Sequence, residues 1–297
     1  MRWWIYQKER FPIMAHGPLI AAFSSCAVSF SALLLGDGLP SWRAYLVAFA
    51  TCFLFFLQLR IADEFKDQEE DARYRPYRPV PRGLIKLREL GVLFVVAAAT
   101  QLALALWFFP PLALVLLAAW LYLALMSVEF FARSWLKARP VTYLWTHMLI
   151  MPIVDFYATA THWLPTGEKP LTGLAFFLAA SFTNGVVIEL GRKLRQPADE
   201  EEGVETYSVL WGRSRAAWIW WTMLLATVVF ASLAALQIDW MSPVLFSLTL
   251  LLVVAAVLVR RFSGHGLSGK VLENFSGLWT LVLYLSLGIV PLLVKSF

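Results

Sequence analysis

The sequence predicts an all-helical integral membrane protein with about nine membrane-spanning helices. Of its 297 residues, 60% are hydrophobic and only 15% are charged, whereas soluble domains carry about 25% charged residues. The apolar residues form runs of about 20, long enough for a helix to cross the hydrocarbon layer of a bilayer. Each run should be helical because a lipid-exposed segment must satisfy its own backbone hydrogen bonds. No soluble stretch is long enough to fold alone, so residues 1–297 are expected to form a single membrane domain.

The predicted spans follow one another closely along the chain. We place them at residues 12–35, 43–61, 90–109, 111–131, 141–160, 171–190, 215–236, 242–260 and 273–294. The first run is too long for the apolar region of a signal peptide, and no convincing cleavage site closes it. The third and fourth spans are separated only by Phe109-Pro110-Pro111, which predicts a tight antiparallel hairpin.

The distribution of basic residues predicts the orientation. All of the 25 Lys and Arg residues except Arg43, Lys169 and Lys295 lie at the N-terminus or in the connections on the same side. Because basic loops stay in the cytoplasm, we expect a cytoplasmic N-terminus, an external C-terminus and a multi-pass protein of a bacterial-type inner membrane. The net charge of +5 reflects this asymmetry, and no basic face carries the polar residues that would read nucleic acid.

Two cytoplasmic connections stand out because they are long and densely charged. They cover about 62–89 and 191–214, and each follows an even-numbered span. Charge on one side of a membrane protein usually means solvent-facing loops. Loops alone, however, do not require acids at helical spacing. We therefore expect these two segments to close over one cytoplasmic site.

The first segment carries six acidic residues within nine positions, followed by several arginines. Asp63, Asp67 and Asp71 lie at i, i+4 and i+8, so on a helix they form a stripe with about 6 Å between neighbours along the axis. Like charges at this spacing repel unless a cation lies between them. Carboxylates are the ligands that Mg²⁺ prefers, and guanidinium groups bind phosphate oxygens. The pattern indicates metal-dependent binding of a diphosphate, although a solvated helix end paired with nearby bases would also explain it.

This segment resembles the first signature of the UbiA-type intramembrane prenyltransferases, Arg-x-x-Asn-Asp-x-x-Asp-x-x-x-Asp, followed by Arg-Pro-x-x-x-Gly. Arg60, Asp67 and Asp71 match directly, while Asp63 stands at the Asn position and Glu64 at the first Asp position. Both changes keep oxygen ligands. The resemblance implies a nine-helix bundle with acidic motifs after the second and sixth helices. It also implies Mg²⁺-dependent prenyl transfer from a polyprenyl diphosphate to an aromatic or lipid acceptor within the membrane.

The second segment departs from the family pattern of Asp-x-x-x-Asp followed by Gly-x-x-Thr. Counting back from Gly203, Asp199 falls on the second Asp position, but Arg195 occupies the first. Glu189, with Arg192 and Lys193 close behind it, offers a different helix end that could bind phosphate oxygens directly. The alternative is that these bases only anchor the sixth helix at the membrane interface.

The resemblance and the residue types together give a set of expected roles. Asp63, Asp67, Asp71, Glu189 and Lys193 are predicted to be catalytic. Metal ligands are expected among Asp63, Glu64, Asp67, Asp71, Glu189 and Asp199, and diphosphate ligands among Arg75, Arg78, Arg82, Arg192 and Arg195. His16, His147, Asn184 and Glu129 are weaker candidates, because polar residues within spans more often serve packing.

Three other functions fit parts of the sequence. The acidic motif could bind a phosphoribosyl diphosphate donor, with a polyprenyl phosphate as acceptor. An alcohol phosphatidyltransferase also uses spaced Asp residues, but its signature contains Gly between the acids and residues 63–71 contain none. A transporter or non-catalytic lipid-binding protein would place its ionisable groups near the membrane midplane, whereas these acids gather at one face.

Overall fold

The computed structural model describes residues 1–170, 172–264 and 266–296, and this part of the chain is helical and contains no strands. The helices are α1 (Arg2–Arg10), α2 (Ile13–Leu35), α3 (Trp42–Lys66), α4 (Gln68–Tyr74), α5 (Leu87–Phe108), α6 (Leu112–Ser127), α7 (Arg133–Lys137), α8 (Pro140–Met148), α9 (Ile150–Trp163), α10 (Thr172–Arg192), α11 (Tyr207–Trp211), α12 (Arg213–Leu236), α13 (Met241–Ser263), α14 (Gly269–Leu287) and α15 (Ile289–Ser296). Short 3-10 turns lie at Glu129–Phe131 and Pro197–Asp199.

The predicted all-helical membrane architecture is confirmed. Within the described ranges, seven segments are long and apolar enough to cross a membrane: α2, α3, α5, α10, α12, α13 and the joined pair α14–α15. The fourth predicted span corresponds to α6, which has only 16 residues, and the fifth is divided between α8 and α9 at Leu149. Leu171, the first residue of the sixth predicted span, lies outside the described residues. The count of nine and the orientation stay predictions.

A left-handed turn ends α6 earlier than the sequence predicts. Glu129, Phe130 and Phe131 have φ values of 50°, 52° and 57°, a region that residues other than glycine seldom adopt. The chain therefore leaves the helix after Ser127 rather than at residue 131. Three such residues in succession store backbone strain that the surrounding packing must hold.

α10 occupies a central position in the bundle. It packs against α9, α12 and α14, while α2 packs against α3, α9 and α14, and α3 against α5. At the C-terminal end of α10, a side chain at Gly191 would collide with Ser276 Oγ of α14. The indole nitrogen of Trp220 donates to the Val187 carbonyl at 3.1 Å and also lies 3.1 Å from Ser276 Oγ. This close approach fixes the end of α10, where the second charged segment begins.

The N-terminal helix α1 has no counterpart among the predicted spans. Its Tyr6 is buried in a small cluster with Ile61, Ile85 and Leu90. Its charged residues form ion pairs with the first charged segment and its neighbours, among them Arg10 with Glu64 and Glu9 with Arg82. Helix α1 therefore covers the C-terminal end of α3 and helps to hold the loop that follows α4.

A candidate diphosphate site at one end of the bundle

The acidic stripe runs across a joint between two helices rather than along one. α3 ends at Lys66, Asp67 lies at the junction, and α4 begins at Gln68. The backbone N–H of Asp67 still donates to the Asp63 carbonyl at 2.9 Å, and that of Asp71 to the Asp67 carbonyl at 2.8 Å. The one-turn spacing of the stripe is therefore kept, but its three carboxylates have different surroundings.

Asp63 and Asp67 are the more open pair. The Asp63 side chain is 39% exposed, and its nearest basic partner, Arg60, is 3.6 Å away. Asp67 is half-buried, and burial, reinforced by the negative charge of Asp63, raises its pKa even though the charge of Lys66 acts in the opposite direction. Both carboxylates can accept a further cation, and a cation bound at Asp67 would stabilise its ionised form.

Asp71, in contrast, is closed off by arginines. Its two oxygens accept hydrogen bonds from Arg78 Nη1 at 2.9 and 2.7 Å. Arg75 Nε lies 3.1 Å away and Arg10 Nη2 3.8 Å away, and the Asp71 side chain is 3% exposed. The carboxylate thus holds Arg75 and Arg78, two of the predicted diphosphate ligands, in a folded-back loop.

Glu64 and Arg82 face the N-terminal helix. Arg10 Nε donates to the buried Glu64 carboxylate, and Arg60 Nε lies 3.7 Å from it. Arg82 donates to Glu9 and to the Tyr77 carbonyl, both at 2.9 Å. These contacts join α1 to the first charged segment. A metal role for Glu64 and a phosphate role for Arg82 stay predictions, and either would require these ion pairs to rearrange.

The second charged segment begins with a compact ion-pair cluster at the end of α10. Glu189 lies 2.6 Å from Arg192 Nη2 and 2.8 Å from Lys193 Nζ, so both cations are presented from one helix end. Arg195 and Asp199 are exposed further along. In the described part of the chain, neither Asp199 nor the Arg195 side chain forms a hydrogen bond or ion pair with Glu189, whose partners are Arg192 and Lys193.

The two charged segments meet. The Tyr77 hydroxyl donates to Glu201 Oε2 at 3.0 Å. Gly203 has a φ of 74°, and a side chain there would collide with the ring of Tyr74, so the second segment passes directly over α4. Asp63 of α3 is close enough to Arg192 of α10 for their charges to interact. The two charged segments therefore lie at the same end of the bundle, with Asp63 of one within electrostatic reach of Arg192 of the other.

A third group of side chains completes the site, and the sequence only partly indicated it. Lys66 Nζ donates to the Tyr143 hydroxyl at 2.9 Å and lies 3.9 Å from Glu129 Oε1. The Tyr143 ring stacks on His147 with 3.9 Å between ring centroids. The spacing of Tyr143 and His147, one helical turn apart, is the signal that could have identified this pair. The sequence did not single out Lys66, because it lies among the acidic residues between Asp63 and Asp67, where it is a possible ion-pair partner for them.

The residues fit a magnesium ion that binds together with a phosphate group. In the described ranges, no group of three or more His, Cys, Asp or Glu side chains is arranged to hold a metal ion. Mg²⁺, however, usually binds through one or two carboxylates, with water and substrate phosphates as its other ligands. Asp63 and Asp67 supply two such hard oxygen donors on an open side of the joint. This donor set fits a metal that arrives with its substrate.

Comparison with known proteins gives consistent results. Residues 22–268 match the model of the UbiA prenyltransferase family. The chain is 25% identical to digeranylgeranylglyceryl phosphate synthase of Korarchaeum cryptofilum over 244 residues, which is 79% of each protein.

Two solved structures have a similar fold, and each match covers 95% of this chain and 98% of the other. One is a UbiA homologue from Aeropyrum pernix K1, with a TM-score of 0.71 and 13% identity. The other is a UbiA homologue from Archaeoglobus fulgidus bound to DMAPP and Mg²⁺, with a TM-score of 0.60 and 15% identity. Together with the match over most of the chain, the fold and the charged segments at one end of the bundle lead to one conclusion: this multi-pass membrane protein belongs to the UbiA prenyltransferase family.

Proposed function

We propose that the protein transfers a prenyl group from a polyprenyl diphosphate to a lipid acceptor, with Mg²⁺, at the cytoplasmic end of its bundle. The observation that carries this proposal is that the two charged segments meet at Tyr77 and Glu201, and that Asp63, one of the two open carboxylates, interacts electrostatically with Arg192 at the cationic end of α10. A magnesium diphosphate needs both kinds of group: hard oxygen ligands for the metal and cations for the remaining phosphate oxygens.

Asp63 and Asp67 are proposed to hold the metal. Bound Mg²⁺ would neutralise the diphosphate and make it a better leaving group. Glu189 presents Arg192 and Lys193 as a fixed pair of cations, 2.6 and 2.8 Å from its oxygens. As the bond from carbon to diphosphate oxygen breaks, negative charge accumulates on the leaving group, and cations that are already in place stabilise it without reorganising.

The remaining predicted ligands receive supporting roles in this proposal. Asp71 orients Arg75 and Arg78, and Glu64 orients Arg10, through the ion pairs described above. These carboxylates shape the loop that borders the diphosphate site. The apolar bundle would accommodate the isoprenoid tail and keep water away from the electrophilic carbon.

The acceptor proposed for the first test is a glycerophosphate lipid. The relative from Korarchaeum cryptofilum is named for the synthesis of a digeranylgeranylglyceryl phosphate, and a cationic helix end suits an anionic headgroup. An aromatic acid is the second acceptor to test. The excess of basic residues in the connections on this side of the membrane supports a site that faces the cytoplasm.

Release of diphosphate by the purified protein in nanodiscs tests the proposal. The donors are geranylgeranyl diphosphate, shorter and longer prenyl diphosphates, and phosphoribosyl diphosphate, each with Mg²⁺ or with EDTA. We expect release from a prenyl donor only with Mg²⁺, and a loss of about 100-fold or more in Asp67→Asn. Glu69→Gln, which removes an exposed charge from the same segment, is the matched control and should remain active. Release without Mg²⁺, full activity of Asp67→Asn, or release from the phosphoribosyl donor alone would refute the proposal.

A further inference from the structure

His147 is a buried histidine that borders the proposed diphosphate site. It lies on α8 and is 7% exposed. Its ring is fixed between the stacked ring of Tyr143, at 3.9 Å, and the edge of Phe130, at 6.3 Å between centroids. The orientation of the imidazole is therefore set before any substrate binds.

A backbone carbonyl determines which nitrogen of His147 carries the proton. Nδ1 lies 2.8 Å from the carbonyl oxygen of Tyr143. A carbonyl oxygen can only accept a hydrogen bond, so Nδ1 must be the donor. In the neutral ring, Nε2 then holds a free lone pair. Nε2 is buried and has no hydrogen-bond partner among the described residues, although buried polar atoms nearly always have one. Nε2 can therefore accept a hydrogen bond from a donor that binds at this position.

The charges around His147 belong to the proposed site. Asp63 and Lys66 of α3 and Glu189 of α10 all interact electrostatically with the ring. Burial of the ring and the charge of Lys66 oppose a proton gained at Nε2, whereas the charges of Glu189 and Asp63 favour it. The ammonium group of Lys66 also lies 3.9 Å from Glu129 and donates a hydrogen bond to the Tyr143 hydroxyl. The His147 ring is therefore linked to the first charged segment through Tyr143, which stacks on it and accepts a hydrogen bond from Lys66.

We propose that His147 Nε2 takes the proton from a hydroxyl group of the acceptor, so that the product is a prenyl ether. A hydroxyl can donate a hydrogen bond to the lone pair before it reacts, while an aromatic carbon nucleophile offers no such donor. The acceptor oxygen bonds to the first carbon of the prenyl chain as the bond from that carbon to the diphosphate breaks. The electron pair leaves with the diphosphate, the hydroxyl proton moves to Nε2, and it then passes to water. This inference rests on the proposed prenyl transfer.

Two substitutions separate the parts of this role. In His147→Asn, the amide nitrogen can occupy the place of Nδ1 and donate to the Tyr143 carbonyl, but nothing remains at Nε2. In His147→Gln, a polar atom returns near the place of Nε2 and can accept a hydrogen bond, but it cannot take up the proton. With geranylgeranyl diphosphate and geranylgeranylglyceryl phosphate, we expect kcat to fall about 100-fold or more in both variants. The KM for the acceptor should rise in the Asn variant only, and Mg²⁺-dependent donor binding should be retained in both.

An acceptor analogue with a thiol in place of the hydroxyl supplies the decisive readout. A thiol is far more acidic than an alcohol and needs no base to be partly ionised near neutral pH. The His147→Asn variant should therefore transfer to the thiol nearly as well as the wild type, which a folding defect could not produce. Failure of this rescue would overturn the inference. The inference would also be overturned if His147→Asn transferred the prenyl group to the alcohol at a rate within threefold of the wild type. A wild-type product in which the prenyl group is bonded to carbon would overturn it as well. A wild type that releases no diphosphate from any prenyl donor would overturn the proposed function itself.

Discussion

Replacing Asp71 with alanine should destabilise the protein rather than remove a metal ligand. The Asp71 side chain is 3% exposed and contacts Arg78 at 2.7 Å, Arg75 at 3.1 Å and Arg10 at 3.8 Å. Without the carboxylate, three guanidinium groups would face one another with no anion between them. In the described part of the chain, Glu64 forms ion pairs with Arg10 and Arg60 and none with Arg75 or Arg78.

The expected cost follows from the burial of the partners. Removing one member of a buried ion pair costs about 3–5 kcal/mol, mostly because the remaining charge is left without a partner. Arg75 and Arg78 keep 14% and 19% exposure, so water can solvate part of the released charge. We therefore expect Asp71→Ala to lower the free energy of unfolding by about 2–4 kcal/mol. That corresponds to a fall of roughly 4–8 °C in Tm for a chain of this size.

Thermal unfolding in nanodiscs, followed by Mg²⁺-dependent donor binding at a lower temperature, measures both properties. Asp71→Asn, which keeps an oxygen acceptor for Arg78, should show a smaller loss of Tm. Asp67→Asn should keep its Tm and lose donor binding. An Asp71→Ala protein that unfolds at the wild-type temperature but no longer binds donor with Mg²⁺ would refute this reasoning. It would instead support the metal role that the acidic spacing predicts.

Two further predictions concern the loops. Gly203→Ala should lower Tm and activity because the new methyl group meets Tyr74. Gly36→Ala, in the left-handed region with a φ of 71° and open space around it, should show only the smaller conformational cost of about 1 kcal/mol. Differential scanning calorimetry of both variants checks this, and equal losses would contradict it. Arg82→Gln should keep kcat/KM within about threefold of the wild type, whereas Arg192→Gln should lower kcat/KM about 100-fold because it removes a cation already in place for the leaving group. Steady-state kinetics with geranylgeranyl diphosphate test this pair. A larger loss in Arg82→Gln would show that Arg82 leaves its ion pair to bind phosphate.

The sequence predicted the helical membrane fold and the location of the charged segments, because long apolar runs and clustered charges are local properties of the chain. It could not predict which carboxylates remain open. Asp63 and Asp71 are the same residue type at regular spacing, yet Asp71 is enclosed by a loop that folds back and by Arg10 of α1. That difference depends on contacts between distant parts of the chain.

The same limit applies to the third group of side chains. Lys66 and Tyr143 are 77 positions apart in sequence, and no local pattern predicts their hydrogen bond. The end of α6 was also beyond reach, because three successive left-handed residues without glycine contradict the usual preferences of those residue types. Such a turn is maintained by its surroundings and not by its own sequence.

The early end of α6 has a consequence for the surrounding lipid. Sixteen helical residues extend about 24 Å, which is less than the roughly 30 Å thickness of the hydrocarbon layer. As the fourth predicted span, α6 would leave a hydrophobic mismatch, which local thinning of the bilayer, reorientation of flanking side chains or association of helices can accommodate. Because the turn after α6 carries Glu129, which lies 3.9 Å from Lys66, we expect this thinning beside the site. Headgroups would then lie deeper there than elsewhere around the bundle, and an acceptor lipid could reach the site by lateral diffusion without leaving its leaflet.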